Sequence, residues 1–355
     1  MTTDQHTRRP TEVAGLPREQ VAAWLREAVP SLDLGPHWTA EIITGGLSNI
    51  TYRLHTADGT VILRRPPLAG ALPSAHDMVR EYTVQAALAA TPTPVPRMLG
   101  LCTDQNVIGA PFYVMEDVAG QVLRSAAQTG SLTEDVRAAV STALVDALAT
   151  LHRVDPEEVG LGGFGRPAGY TARQIRRWAQ QWERSATREL PDMEKLFALL
   201  DERVPEQTDS AIVHGDFRLD NTVIDVSGPS PRIAAILDWE LSTLGDPLAD
   251  LGLFLTYWYD SHLSEDPAFE PTAHLTDHPG FPAAEEMAER YARSSGRDLS
   301  QLSFYRAFGA MKLAVILEGV HARYLSGKTV GEGYGQVARA VPVLTARALS
   351  FLRQR

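Results

Sequence analysis

The chain has 355 residues, 44% of them hydrophobic and 22% charged, which is too long for one compact core and is an ordinary composition for a folded protein rather than a disordered one. Its 33 Lys and Arg against 44 Asp and Glu leave a formal charge of -11, which argues against a nucleic-acid binder and against a polybasic membrane-surface protein. Cys102 is the single cysteine, so an intrachain disulfide framework and a Cys-based zinc cluster are excluded and a small buried apolar residue is expected.

The chain opens MTTDQHTRRP, without the apolar stretch of a secretory leader, and no run long enough to cross a bilayer follows; a soluble, cytoplasmic protein is expected. Residues 1–16 read as a flexible tail. Over residues 17–29, Val21, Trp24, Leu25 and Ala28 recur at helical spacing. From residue 39 to 66 the period shortens, and β-branched runs broken at Gly45-Gly46 and Asp58-Gly59 predict three antiparallel strands. A helix over 76–90, a Pro cluster at 92–96 and strands near 97–102 and 112–115 complete a five-stranded sheet with one helix. Arg65 should point to the face of its strand opposite Arg64, toward the surface.

Beyond Glu116 the texture is helical. Val136, Val140, Leu144, Ala147, Leu148 and Leu151 form one apolar stripe, and amphipathic segments follow over 172–186 and 193–204. An apolar run at 211–213 precedes a hairpin of strands 222–226 and 233–237, turning at Gly228-Pro229. Asp246 and Pro247 read as the cap and first residue of the next helix. The remainder is helical except for a Pro-rich acidic loop over 260–282, and a long helix is expected over 302–325. No internal repeat occurs.

The stretch VHGDFRLDN, residues 213–221, sets His214, Asp216 and Asn221 in the spacing H-x-D-x-x-x-x-N, and Asp238 ends the next apolar strand in LDWE. Phosphoryl transfer needs such parts: a carboxylate to orient and deprotonate a hydroxyl, with an amide and a second carboxylate to hold magnesium against the phosphates. On this spacing Asp216 is the base, and Asn221 and Asp238 are ligands of Mg²⁺, which keeps several waters and needs few protein donors. Arg218 either neutralises the transferring phosphoryl or pairs with Asp220 or another loop carboxylate. His214 reads as a loop-ordering residue rather than a base.

At these residues the sequence resembles the aminoglycoside phosphotransferase and choline kinase family, a small-molecule branch of the protein-kinase-like fold, from about Trp38 onward. VILRRPP, HGDFRLDN, ILDWELSTLGDPLADLG and EGVHARY are similar to the branch that also occurs as the kinase-like domain fused to some acyl-CoA dehydrogenases. The resemblance implies an α+β, two-lobed fold: a small antiparallel β lobe with one helix over 1–115, holding nucleotide, and a larger, mostly helical lobe over 116–355, with catalytic loop, metal site and acceptor site. It implies ATP and Mg²⁺ as cofactors, and a glycine turn where Gly46, Ser48 and Asn49 approach the phosphates. Arg64 would stand where kinases carry a lysine, held by Glu81 on the following helix. Glu116 and Val118 would form the hinge that meets adenine through backbone groups.

The implied activity is transfer to a hydroxyl of a small molecule, with the fused relatives pointing to a hydroxy acid or hydroxyacyl-CoA. An aminoglycoside kinase and a silent nucleotide- or acyl-binding pseudokinase are the alternatives, the latter favoured by Arg64. A protein kinase is disfavoured, because no A-P-E segment follows LDWE. Tyr257, Trp258, Tyr259, Tyr305, Arg306, Lys312, Arg323 and Tyr324 could line the acceptor pocket, unless they are core residues. Glu265, Asp266, Glu270 and Asp277 could attract a polycation or be a solvated face. The expected partner is a small hydroxylated molecule, with no nucleic acid and no membrane, and the protein a monomer or homodimer.

Overall fold

The computed structural model describes residues 13–43, 49–68, 77–228, 230–258, 274–327 and 335–353. The chain divides into two compact units: one runs to Ala90 and takes in Val95–Val118, and the other comprises Thr91–Pro94 and continues from Ala119.

The first unit opens on α1 (Arg18–Ala28) and is built on a five-stranded antiparallel sheet. Its strands are β1 (Thr39–Ile43), β2 (Ile50–Thr56), β3 (Gly59–Arg65), β4 (Met98–Cys102) and β5 (Phe112–Glu116), in the order β1-β2-β3-β5-β4. The β2–β3 hairpin closes one residue before the expected turn, with Thr56 opposite Gly59 across Ala57-Asp58. Alternation along β2 buries Tyr52 and Leu54, which join Val21 and Leu25 of α1, Leu63 and Phe112 in one core. Trp24 meets Phe112 edge to face at 4.8 Å. Cys102 is buried on β4, as its residue type suggests.

The other face of the sheet carries α2 (Met78–Leu88), whose first N–H groups are capped by the Asp77 side chain, accepting from Arg80 N at 3.0 Å. A short helix, α3 (Gln105–Ile108), links β4 to β5. Two expectations are corrected here. Arg65 does face away from Arg64, yet it is buried, not on the surface: its guanidinium donates to the carbonyls of Gly15 (2.6 Å), Ile108 (3.1 Å) and Pro66 (3.1 Å). Tyr52 likewise donates to Ala14 O at 2.7 Å. Residues 13–16, expected in a tail, are therefore packed, with Leu16 buried; residues 1–12 lie outside the described set.

The second unit is mostly helical: α4 (Ala126–Gly130), α5 (Glu134–His152), α6 (Tyr170–Ser185) and α7 (Pro191–Glu202) precede the VHGDFRLDN segment. The Thr133 side chain caps α5, and Val140, Leu144 and Leu148 of its predicted stripe are fully buried. Two small antiparallel pairs follow: β6 (Ala211–Val213) with β9 (Thr243–Gly245), and β7 (Thr222–Asp225) with β8 (Arg232–Ile236). Strand β9 was not expected; Gly245 ends it by pairing with Ala211, and Asp246 then caps α8 (Pro247–Tyr257), accepting from Leu248 N at 3.0 Å.

After α9 (Ala284–Ser295), α10 (Leu302–Leu325) runs through the middle of the unit, packed on α6, α8 and α11 (Ala340–Phe351). That position explains why α10 is apolar almost all round. Close approach of α8 and α10 depends on Gly252 and Gly309, where a Cβ would lie within 2.6 Å of the facing backbone.

Candidate active site

In the first unit, Asn49 just before β2, Arg64 of β3 and Tyr113 of β5 gather around one buried carboxylate of α2. Glu81, 1% exposed, accepts from Asn49 Nδ2 at 3.0 Å and from the Tyr113 hydroxyl at 2.9 Å, and Arg64 Nε lies 3.2 Å from its Oε2. A carboxylate this deep needs such partners, because an unpaired buried charge costs several kcal/mol. Arg64 and Glu81 are thus ion-paired, as expected; Asn49, expected in the turn at the phosphates, joins them by its hydrogen bond to Glu81, and Tyr113 is a member that sequence reasoning did not single out. Its alternation on β5 was visible, but nothing local marked its hydroxyl as a partner for a residue 32 positions away. Gly46 and Ser48 lie outside the described residues. Glu116 ends β5, where its N–H is taken by Arg97 O at 2.9 Å, and Val118 follows two residues on.

In the second unit the VHGDFRLDN segment leaves β6 and turns at Gly215. Its φ of 84° and the carbonyl of Leu241, 2.7 Å from where a Cβ would sit, require glycine there. Asp216, Arg218 and Asn221 then converge. Asn221 Nδ2 donates to the Asp216 carbonyl (2.9 Å) and to its carboxylate Oδ2 (3.1 Å). With the nitrogen end of the amide so engaged, Oδ1 is the end that could hold a metal. Arg218 Nε lies 3.4 Å from Asp216 Oδ2 and 3.3 Å from Asp220 Oδ1, so the ion pair with Asp220 is present together with one to Asp216. Burial opposes the Arg218 charge, and Asp216, Asp220 and Asp238 outweigh it, raising its pKa.

Asp238 is held to this loop through its neighbours: Leu237 N donates to Asn221 O at 2.8 Å, and the His214 ring donates from Nε2 to Leu237 O at 2.9 Å. It is the one non-glycine among the described residues with positive φ, at 65°. Such a conformation costs about 1–3 kcal/mol. The next residue compensates: Trp239 is fully buried, donates to Ile236 O at 2.9 Å and packs on His214 at 4.8 Å. Burying an indole is worth about 4–6 kcal/mol at 150–250 Å². An aspartate held in a strained backbone conformation is what a ligand or reactive group looks like. Glu240 follows it on a 3-10 turn, half-buried.

His214 behaves as a loop-ordering residue. Its Nδ1 accepts from Asp216 N–H at 3.2 Å while Nε2 donates to Leu237, so both ring nitrogens are occupied in the neutral tautomer and neither is placed as a base. What holds the loop from below is Asp250, which the sequence reading did not single out. Fully enclosed on α8, it accepts from His214 N (2.5 Å), Gly215 N (2.8 Å) and His152 Nε2 (3.3 Å). Burial would raise its pKa, but the His152 bond and the two backbone donors hold it below the usual carboxylate range. A lone aspartate inside PLADLGLFLTY was the available signal.

The acceptor candidates separate sharply. Trp258 and Tyr305 are core: the first donates to Pro282 O at 2.8 Å, the second to Asp246 Oδ2 at 2.5 Å. Arg306 is paired with Glu285 at 2.8 Å. Lys312 is buried behind the loop at Gly215, donating to Gly215 O at 2.5 Å with Trp178 beside it. Burial lowers its pKa, against the charges of Asp216 and Asp250. Tyr257 packs against Arg218, whose guanidinium carbon lies 5.1 Å from its ring centroid. Tyr259, Glu265, Asp266 and Glu270 lie outside the described residues.

A sequence profile of the phosphotransferase enzyme family (APH) matches residues 39–305. The chain belongs to that family. Its fold is the aminoglycoside phosphotransferase-like one: a candidate aminoglycoside phosphotransferase from Ralstonia eutropha superposes with a TM-score of 0.80 at 33% identity, covering 95% of this chain and 98% of that one. Aminoglycoside phosphotransferase APH(4)-Ia, in a ternary complex with ADP and hygromycin B, shares the fold at a TM-score of 0.58 and 16% identity over 94% of this chain and 98% of that one. Among curated proteins, acyl-CoA dehydrogenase family member 11 from Rattus norvegicus is 37% identical over 313 residues, 87% of this chain and 39% of its own length. Family member 10 from Mus musculus is 35% identical over 327 residues, 91% of this chain and 30% of its own length. The chain of this phosphotransferase-family protein thus spans about two fifths or less of the dehydrogenase-named relatives it matches. Among its described residues no helix is long and apolar enough to cross a membrane, and no cluster of three or more His, Cys, Asp or Glu is placed to hold a metal.

Proposed function

We propose that this chain is an ATP-dependent, Mg²⁺-dependent phosphotransferase acting on a hydroxyl of a small molecule, a hydroxy acid or its CoA ester. The observation that carries the reading is the Asp216–Asn221 pair, a carboxylate and an amide locked together in a chain of the phosphotransferase family. The donor set suits magnesium, which takes hard oxygen ligands and shares its coordination with phosphates and water. Asn221 Oδ1 and the Asp238 carboxylate would hold it, and when bound it supplies charge neutralisation at the phosphates.

The chain's own residues do the rest. In the first unit Arg64, fixed by Glu81, pairs with nucleotide phosphates, and its planar fork can take two oxygens where a lysine offers a point charge. Glu116 and Val118 offer backbone groups to adenine, and the turn with Gly46, Ser48 and Asn49 covers the phosphates. In the second unit Asp216 orients the acceptor hydroxyl and takes its proton as that oxygen bonds to the γ-phosphorus and the bond to the ADP oxygen breaks. Arg218, charged at any working pH, offsets the negative charge beside that carboxylate.

The acidic acceptor rests on one support: curated relatives 35–37% identical to this chain carry acyl-CoA dehydrogenase names. The partner is a small molecule, neither nucleic acid nor membrane, the protein is a monomer or homodimer, and its compartment is the cytoplasm.

The test is a panel of hydroxy acids, hydroxyacyl-CoAs, amino alcohols and aminoglycosides with ATP and Mg²⁺, following ADP release. Some hydroxylated acid is expected to be phosphorylated by the wild type, and Asp216→Ala to abolish this while still binding ATP. Turnover of aminoglycosides alone would reverse the substrate class. ATP binding with no acceptor anywhere in the panel would replace the enzyme by a binding module.

A further inference from the structure

Lys312 stands on α10 in a run of buried apolar residues, Met311, Leu313, Ala314 and Val315, and is itself only 8% exposed. Its Nζ donates to Gly215 O at 2.5 Å and lies 5.5 Å from the centroid of the Trp178 ring. Among the described residues no carboxylate is within ion-pair distance of it. The charges of Asp216 and Asp250 reach it from farther away, with Arg177 acting against them. A buried ammonium without a contacting anion is costly, and a contact with an aromatic face offsets only part of that. A methionine would fill the same space without the charge. A lysine in this place therefore points to what its hydrogen bond to Gly215 does.

Three groups grip the two peptides ahead of Asp216. The N–H of Gly215 goes to Asp250 Oδ1 at 2.8 Å and fixes the first peptide. The second, between Gly215 and Asp216, is held at both ends: its N–H goes to His214 Nδ1 at 3.2 Å, and its oxygen is the one that Lys312 binds. The His214 contact spans two residues and moves with the loop, whereas Lys312 ties the peptide to a helix 97 residues away. Such a tie matters at this place because Gly215, at φ 84°, has no side chain to limit rotation of the peptide that follows it. A rotated peptide moves the Asp216 nitrogen and, with it, the direction of the Asp216 Cα–Cβ bond.

We propose that Lys312 is a positioning residue for phosphoryl transfer: by holding Gly215 O it fixes the plane of the Gly215–Asp216 peptide and so aims the Asp216 carboxylate at the acceptor hydroxyl. This rests on the reading of Asp216 as the base of a phosphotransferase. Lys312 touches neither substrate nor nucleotide in this role; it acts through the peptide. Aim is worth a buried charge because a base works only within hydrogen-bond reach of the proton it takes, about 2.6–3.2 Å between heavy atoms. A displacement of about 1 Å can cost about a hundredfold in rate. The Asp216 carboxylate has Asn221 Nδ2 as its own hydrogen-bond donor at 3.1 Å, so an error in the backbone ahead of it is passed to that pair as well.

The test compares wild type, Lys312→Met and Lys312→Arg. ADP release from ATP and Mg²⁺ is followed at varied ATP, with water alone and with whichever hydroxy acid, hydroxyacyl-CoA, amino alcohol or aminoglycoside the wild type phosphorylates, and thermal unfolding of each protein is recorded. Lys312→Met should lower kcat by about tenfold to a hundredfold and leave the KM for ATP within about threefold, the split expected when aim is lost and binding is not. Its Tm should be higher than that of wild type or within about 3 °C of it, because relief of the buried charge offsets the lost hydrogen bond. Lys312→Arg keeps a charged donor of similar reach and should be faster than Lys312→Met by about threefold or more. A kcat for Lys312→Met less than about tenfold below wild type overturns the proposal. So does a Lys312→Met protein that fails to fold or melts more than about 3 °C lower, since the lysine would then serve stability. Either result leaves the phosphotransferase reading standing. A wild type that releases no ADP with water or any acceptor overturns that reading, and the positioning role with it.

Discussion

Replacing Asp250 by asparagine tests whether a buried carboxylate holds the catalytic loop. The side chain keeps its shape, so no cavity forms and only hydrogen bonding changes. Aspartate offers acceptors to three donors, His214 N, Gly215 N and His152 Nε2. In the best orientation the asparagine oxygen takes the place of Oδ2 and keeps His214 and His152, now as neutral bonds, while its NH₂ faces the Gly215 N–H. One charge-assisted bond worth about 1.5–3 kcal/mol is lost and a buried donor is left unsatisfied for about 1–3 kcal/mol more. Because the loop can shift slightly to relieve donor–donor contact, the lower part of the combined range is expected, about 3 kcal/mol. At 2–4 °C per kcal/mol for a unit of some 150–250 residues, Tm should fall by about 6–12 °C. Scanning calorimetry reads the change, and circular dichroism at 25 °C checks that the variant is folded. Transfer activity should fall along with it, since Gly215 adjoins Asp216. A Tm within about 2 °C of wild type would refute the reasoning, because it would mean that the loop N–H groups find other partners and Asp250 does not support them.

Arg64→Ala should weaken ATP binding about tenfold or more by losing a forked phosphate contact, as read by calorimetric titration; unchanged affinity would remove Arg64 from the nucleotide site. Its Tm should also fall, since Glu81 stays buried with a partner missing. Stability should depend on pH through His152, whose pKa is lowered chiefly by burial. The folded state favours the neutral ring, so this contribution is complete above the unfolded pKa of about 6.5 and is lost as pH falls toward the folded value. Asp250 acts in the same direction, but lower, below the unfolded carboxylate value of about 3.9. Between pH 7.5 and 5.5 wild-type Tm should therefore drop more than that of His152→Gln; equal drops would show that His152 does not titrate on unfolding.

Much of the site was legible because its chemistry is local in sequence. Asp216, Arg218 and Asn221 fall within six residues, and the structure brings them into contact. The helix–strand boundaries were legible for the same reason: periods of two and of three to four residues show in any short window, and the α10 limits coincide with those expected. Strand β9 was missed because three residues carry no period, and only the opposite strand β6 makes them a strand.

Burial of charge was the least legible property. Arg65 looked like a surface residue, since alternation places it opposite Arg64, but the N-terminal segment covers that face and supplies carbonyls to its guanidinium. Lys312 looked like an acceptor-binding cation and lies instead under the loop. Long cationic side chains can be buried wherever a carbonyl meets them, and no local pattern announces this.

By itself, then, the sequence determined the longer elements in their order, the family, and the grouping of Asp216, Arg218 and Asn221 in one loop, all of which depend on residues close along the chain. Tertiary structure alone decided which groups support that set, because their partners come from far away: Asp250 reaches back 36 residues to the loop, Lys312 97, and Tyr113 32 to Glu81. It also decided that Tyr257 packs against Arg218. Aromatic spacing on a helix specifies a face, and only the packing of α8 against the loop says what that face touches.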